Sequence, residues 1–182
     1  MGRAWPRLHR TLLGLFVFIL PLIFSTQNTH FGRTKLAFAL GAIAVMLLVW
    51  ALELAWGRGR LALPRLGWPA LGLLAVLGAS LSQSINPTLS AEALGVTAYF
   101  FLLFLYVANQ VRTRADGLVV LGALALSGGL MAGYGLLQYY GAVAGLAGPR
   151  VPGEAMLSTL GNKNFLGGML ALAVLPGLTA LL

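Results

Sequence analysis

Cysteine is absent from the chain, which excludes disulfides and thiolate metal sites. Its two histidines, His9 and His30, lie in separate flanks, and no group of His, Asp and Glu has ligand spacing. No metal or other cofactor is therefore expected. Charge of either sign is scarce: only 9% of the residues are charged, against roughly a quarter in a soluble domain. What charge exists is gathered in short clusters, so the apolar stretches between them have no polar side to turn toward water. A water-soluble globule is excluded on that ground. Acidic residues are the rarest, four against 12 Lys and Arg among 182 residues, giving a net charge of +8. In a soluble protein that excess would raise nucleic acid as a partner. Here the basic residues sit beside the ends of apolar runs, where they orient the chain and meet anionic headgroups. The lipid bilayer, and not nucleic acid, is the expected partner.

Apolar residues make up 59% of the chain and fall into six runs. A hydrocarbon core of roughly 30 Å needs about 20 helical residues per crossing. By that measure the spans lie at about 11–25, 36–56, 67–83, 91–108, 118–140 and 165–182. The first has a basic head like a signal peptide but no small-residue cleavage site after Phe24, so it reads as an uncleaved anchor bent near Pro21. The second is the clearest, interrupted only by Glu53 and ended by Gly57-Arg58-Gly59-Arg60. Asn86-Pro87 marks a tight turn, after which Ser90 is expected to cap the fourth helix with Glu92 in its first turn. The fifth carries Gly129-xxx-Gly133, a spacing that lets helix backbones approach in lipid, and is expected to pack inside. The sixth run stops at Leu182 without a polar flank, which reads as an unfinished sequence.

The expected fold class is all-α: a polytopic integral membrane protein of about six transmembrane helices, one membrane domain over 1–182, with no internal repeat. Orientation follows from Lys and Arg, which cytoplasmic flanks favour. The side of the N-terminus holds Arg3, Arg7, Arg10, Arg58, Arg60, Arg65, Arg112 and Arg114; the other holds Arg33, Lys35, Arg150 and Lys163. Eight against four places the N-terminus in the cytoplasm and the long loop 141–164 on the outer face.

That loop leads to the densest polar segment, Ser158-Thr159-Leu160-Gly161-Asn162-Lys163-Asn164-Phe165-Leu166-Gly167-Gly168. Gly161 permits a sharp turn, Asn162 or Asn164 can cap the helix, and the exposed N–H groups beside the Lys163 ammonium suit a phosphate. The plainer account is a well-capped transmembrane helix with its lysine among headgroups. Arg150 in the same loop can reach a diphosphate, or stand simply as a solvated residue between prolines. Glu53, the one ionisable residue inside a span, is expected to snorkel toward the interface near Arg58. Trp5, Trp50, Trp56, Trp68, Tyr99, Tyr139 and Tyr140 fall near span ends and read first as interface-belt residues. Tyr139-Tyr140 is kept as a possible wall of an outer site.

Tyr134-Gly135-Leu136-Leu137-Gln138-Tyr139-Tyr140-Gly141 followed by Ser158 to Gly168 resembles the corresponding stretch of the O-antigen ligase and polymerase superfamily, where a G-N-P-N-F-L-type motif occurs. The hydropathy layout of the whole chain is similar to the N-terminal half of that family. The resemblance implies a glycosyltransferase of the bacterial inner membrane, acting in cell-envelope polysaccharide or lipopolysaccharide synthesis. Such enzymes pass a glycan from undecaprenyl diphosphate to an acceptor on the outer face, without a metal. Gly161, Asn162, Asn164 and Phe165 map onto the motif, and Lys163 stands where proline is common. Gly161, Asn162, Lys163, Asn164 and Arg150 are thus the candidate substrate-binding residues; the family's catalytic Arg and His lie in a later loop, so no catalytic residue carries over. A non-catalytic subunit packing against partner membrane helices is the alternative, and a transporter is disfavoured by the lack of mid-membrane ionisable groups.

Overall fold

The computed structural model describes residues 4–24, 31–140, 158–160 and 163–181, and every regular element among them is helical. These are α1 (Ala4–Leu22), α2 (Phe31–Ala55), α3 (Gly67–Ser80) continued by a 3-10 turn Leu81–Gln83, α4 (Pro87–Gln110), α5 (Arg114–Tyr139), a 3-10 turn Ser158–Leu160, and α6 (Lys163–Leu181). Among the described residues three stretches, Gly32–Ala55, Pro87–Gln110 and Arg114–Tyr139, are long and apolar enough to cross a bilayer, with 24, 24 and 26 residues. At about 1.5 Å per residue each reaches at least about 36 Å, more than the hydrocarbon core requires. Leu48, Leu52, Phe100, Leu102, Leu126 and Leu130 on these helices stay exposed. Apolar surface of that extent is stable against lipid and not against water, which marks a membrane protein.

The helices outrun the apolar runs because their caps lie in the polar flanks. Pro87 opens α4, its fixed φ and missing N–H being harmless at a first helical position. Asn86 caps it, its Oδ1 accepting from the Leu89 N–H at 3.2 Å. Ser90, expected to cap, lies a turn inside and pairs its hydroxyl with that of Ser84 at 2.6 Å. Likewise α5 starts at Arg114, since Thr113 and Asp116 form a reciprocal capping box with N–H···O distances of 2.9 and 3.2 Å. Asp116 also takes the Arg10 guanidinium at 2.8 Å.

The chain divides into two compact units, Met1–His9 with Ile43–Arg112 and Arg10–Ala42 with Thr113–Leu182. In the first unit α3 lies against α4, and Ile43, Met46, Trp50, Tyr106 and His9 are buried. The Trp50 ring meets Tyr106 edge-on at 6.0 Å, so Trp50 is a core residue and not part of an interface belt. Gly57 ends α2 in the left-handed region, at φ 66°. Its N–H donates to Leu54 O at 2.9 Å and that of Arg58 to Glu53 O at 3.1 Å, which satisfies the last carbonyls of the helix.

In the second unit α5 and α6 form the principal helix pair, with Leu13, Phe16, Ala39, Met131, Leu166 and Ala173 buried. The close approach in that pair is at Gly128, where an added Cβ would overlap the Ala173 methyl. Gly129 and Gly133, expected to form the packing face, instead look onto open space. One residue along a helix turns the side chain by about 100°, so a contact at Gly128 leaves Gly129 facing away.

Candidate functional site

α1 ends just beyond Pro21, leaving the carbonyls of its last turn without helical donors. The Lys35 ammonium, from the first turns of α2, supplies them: Nζ donates to Pro21 O at 2.7 Å and also to Leu20 O and Ile23 O. Lys35 was expected only as a flanking cation. Its charge is spent on backbone carbonyls, a partnership that spacing does not reveal because the acceptors lie 12 to 15 residues away across an interhelical connection.

The same Pro21 oxygen accepts from Thr159 Oγ1 at 2.7 Å. Thr159 belongs to the 3-10 turn that leads into α6, and its neighbour Ser158 is held twice. The Ser158 N–H donates to Gln138 Oε1 at 2.8 Å, and its hydroxyl donates to Met131 O at 2.9 Å. Ser158 has φ 48°, a left-handed conformation that a non-glycine residue keeps only when surrounding contacts enforce it. Buried Ser158 and Thr159 thus tie the approach to α6 onto α5 and onto the end of α1. Sequence reasoning placed both in the polar motif without assigning them partners, and it gave no role to Gln138.

Among the candidate residues, Lys163 opens α6 and Asn164 and Phe165 follow in its first turn, with Phe165 66% exposed. Gly167 and Gly168 have open space where a Cβ would stand, and Leu166 is buried. Gly161, Asn162 and Arg150 lie outside the described residues, as does most of the 141–164 loop. Tyr139 and Tyr140 are exposed at the end of α5, their rings edge-to-face at 5.2 Å. The Tyr134 ring lies 6.1 Å from that of Phe24, and its hydroxyl is buried without a partner among the described residues.

A second polar cluster sits in the first unit. Glu53 is buried, and its Oε2 lies 3.1 Å from both His9 Nε2 and Gln110 Nε2. The other ring nitrogen, His9 Nδ1, lies 2.8 Å from Tyr106 Oη. A neutral imidazole with its proton on Nε2 satisfies the set: it donates to Glu53 and accepts from the Tyr106 hydroxyl. The snorkelling expected of Glu53 is therefore corrected; partners from α1 and α4 hold it inside, because an unpaired carboxyl group there would be costly. Burial pushes the His9 imidazole below its ordinary value near 6.5, against the pull of Glu53, and Arg112 adds to the lowering.

Chemically the two clusters differ. The His9 cluster is closed and its hydrogen-bonding groups face one another. The 3-10 turn ahead of α6 is held by α5 and by the end of α1, and the start of α6 combines exposed Asn164 and Phe165 with buried Leu166. Among the described residues no three His, Asp or Glu side chains gather as a metal-ligand set. Compared with protein-family models, curated proteins and solved structures, the chain matches none.

Proposed function

We propose that this chain is a multi-pass protein of the bacterial inner membrane, with six helices and a cytoplasmic N-terminus, that forms the carrier-binding wall of a glycan transferase of the O-antigen ligase type. The observation that supports this reading is the anchoring of Ser158 and Thr159, which fixes the 3-10 turn just ahead of α6 against α5 and the end of α1. A donor site benefits from such rigidity, since preorganised N–H groups and a cation stabilise charge developing on a departing diphosphate. In the reaction an acceptor hydroxyl attacks the anomeric carbon, the bond from that carbon to the diphosphate oxygen breaks, and undecaprenyl diphosphate leaves with the electron pair. The hydroxyl proton passes to a base. Lys163, Asn162, Gly161 and Asn164 would contact the diphosphate, with Arg150 as a further cation and Tyr139-Tyr140 beside the sugar.

The test is equilibrium binding of undecaprenyl diphosphate to the purified protein in nanodiscs. Asn162→Ala with Lys163→Ala is expected to weaken binding about tenfold, the scale of one charge-assisted contact. Unchanged affinity would defeat the proposal. A second reading, a non-catalytic subunit docking other membrane helices, is favoured by the open Gly129 and Gly133 face of α5. Co-purification of a partner that a bulky residue at Gly133 abolishes would select it.

A further inference from the structure

The segment 56–68, which is the connection from α2 to α3 together with the first two residues of α3, is short of hydrogen-bonded secondary structure over 56–66 but not loose. Gly57 closes α2 as described, and a Cβ at Gly59 would lie 3.3 Å from Glu53 Oε2, so the backbone there lies close against the side of α2. Further on, the carboxamide of buried Asn109 pairs with the backbone of Ala62 on both sides: the Ala62 N–H donates to Oδ1 at 2.8 Å, and Nδ2 donates to Ala62 O at 2.9 Å. Gly67 N–H closes a final turn on Pro64 O at 2.8 Å. The connection is thus fixed at its start, its middle and its end.

What it presents is a mixture that water alone would not stabilise. Trp56, Leu61, Leu66 and Trp68 are 61%, 65%, 71% and 68% exposed. Arg58, Arg60 and Arg65 are exposed between them, the segment contains no acidic residue, and among the described residues none of the three arginines has an acidic partner within 4 Å. Glu53, the acid nearest in the sequence, is engaged by His9 and Gln110. Exposed Trp and Leu interleaved with unpaired Arg suit one environment, the boundary between acyl chains and anionic headgroups, where apolar side chains enter the former and guanidinium groups meet phosphates.

We infer that residues 56–68 form a preordered docking surface for anionic phospholipid headgroups, clamped in its binding shape by Asn109. The clamp separates this from a general preference of basic loops for one side of the membrane: the conformation is set before lipid arrives, so less ordering entropy is lost on binding. The surface selects headgroup charge, and it takes lipid, not a soluble acidic protein, because its exposed apolar residues flank the charges.

The experiment uses the full chain in nanodiscs of equimolar phosphatidylglycerol and phosphatidylcholine, released into mild detergent, with retained lipid counted by native mass spectrometry. The unaltered protein is expected to keep phosphatidylglycerol in at least about fivefold excess, the effect of one basic residue near a charged surface. Replacing the three exposed arginines (R58Q, R60Q and R65Q together) should bring retention to parity. Asn109→Leu, with every arginine present, should lower the excess as well. Equal retention of the two lipids by the unaltered protein overturns the inference. So does an undiminished excess in the triple variant, which would assign the preference to other cations.

Discussion

At the scale of single residues, the buried His9, Glu53, Tyr106 and Gln110 cluster sets the sharpest expectation. His9 precedes the first apolar run and joins α2 to α4 through its two ring nitrogens. Burial favours its neutral form in the folded protein, so below the ordinary imidazole range the unfolded state binds the extra proton more readily. Stability must then rise with pH. The contribution is complete above about pH 6.5 and is lost as pH falls through the lower folded value. Thermal melting in detergent from pH 8 to pH 5 should show the midpoint falling on the acid side, and His9→Gln should flatten that dependence while lowering the midpoint at pH 8. An equally steep acid loss in His9→Gln would move the effect to another group. Glu53 was recognisable in the sequence as the one ionisable residue inside a span. Its partners were not, because they lie 44 and 57 residues away and only tertiary packing selects them.

The elements show which local signals are sufficient and which are not. A helix occupies the expected stretch 67–83, as α3 followed by its 3-10 turn, because apolar pattern and a proline in the first helical turn are local properties. The fourth and fifth helices start earlier than their apolar runs, since Asn86 and Thr113 cap them from the polar side. Helix contact faces were less legible. A Gly-xxx-Gly spacing shows that a close approach is possible but not which glycine makes it, and here Gly128 does. Gly128→Val should destabilise the protein by about 1–3 kcal/mol, the usual cost of overpacking, read from denaturant unfolding in micelles. Gly129→Val, pointing into open space, should change stability far less; equal losses from the two would show that the α5 and α6 contact is misassigned.

For the whole molecule, the absence of cysteine makes orientation directly measurable, since a single introduced thiol has no competitor. On the six-pass proposal, a cysteine replacing Arg60 should react only with reagent admitted to the cytosol, and one replacing Asn164 should react with an impermeant reagent from outside. Labelling of both from the same side would reject the arrangement in which these positions are separated by an odd number of crossings. The two polar centres also divide the molecule by chemistry. Each lies within one compact unit: the closed His9 cluster in the first, and the anchored approach to α6 in the second. On the function proposed above, the former serves structure and pH response and the latter would contact ligand.

The amino-acid order alone was enough for helical class, for membrane residence and for the location of the polar motif, because these depend on properties summed over neighbouring residues: apolar length, charge scarcity and cap chemistry. Tertiary structure decided which polar side chains are satisfied and by whom. Lys35 finds the end of α1, Thr159 shares its Pro21 acceptor, and Asn109 grips Ala62. Each of these bonds pairs a donor or acceptor that is at least partly buried, where leaving it unpaired costs more than the bond itself contributes in water. That penalty acts between separate helices and turns, and the local pattern along the sequence does not say which of them meet.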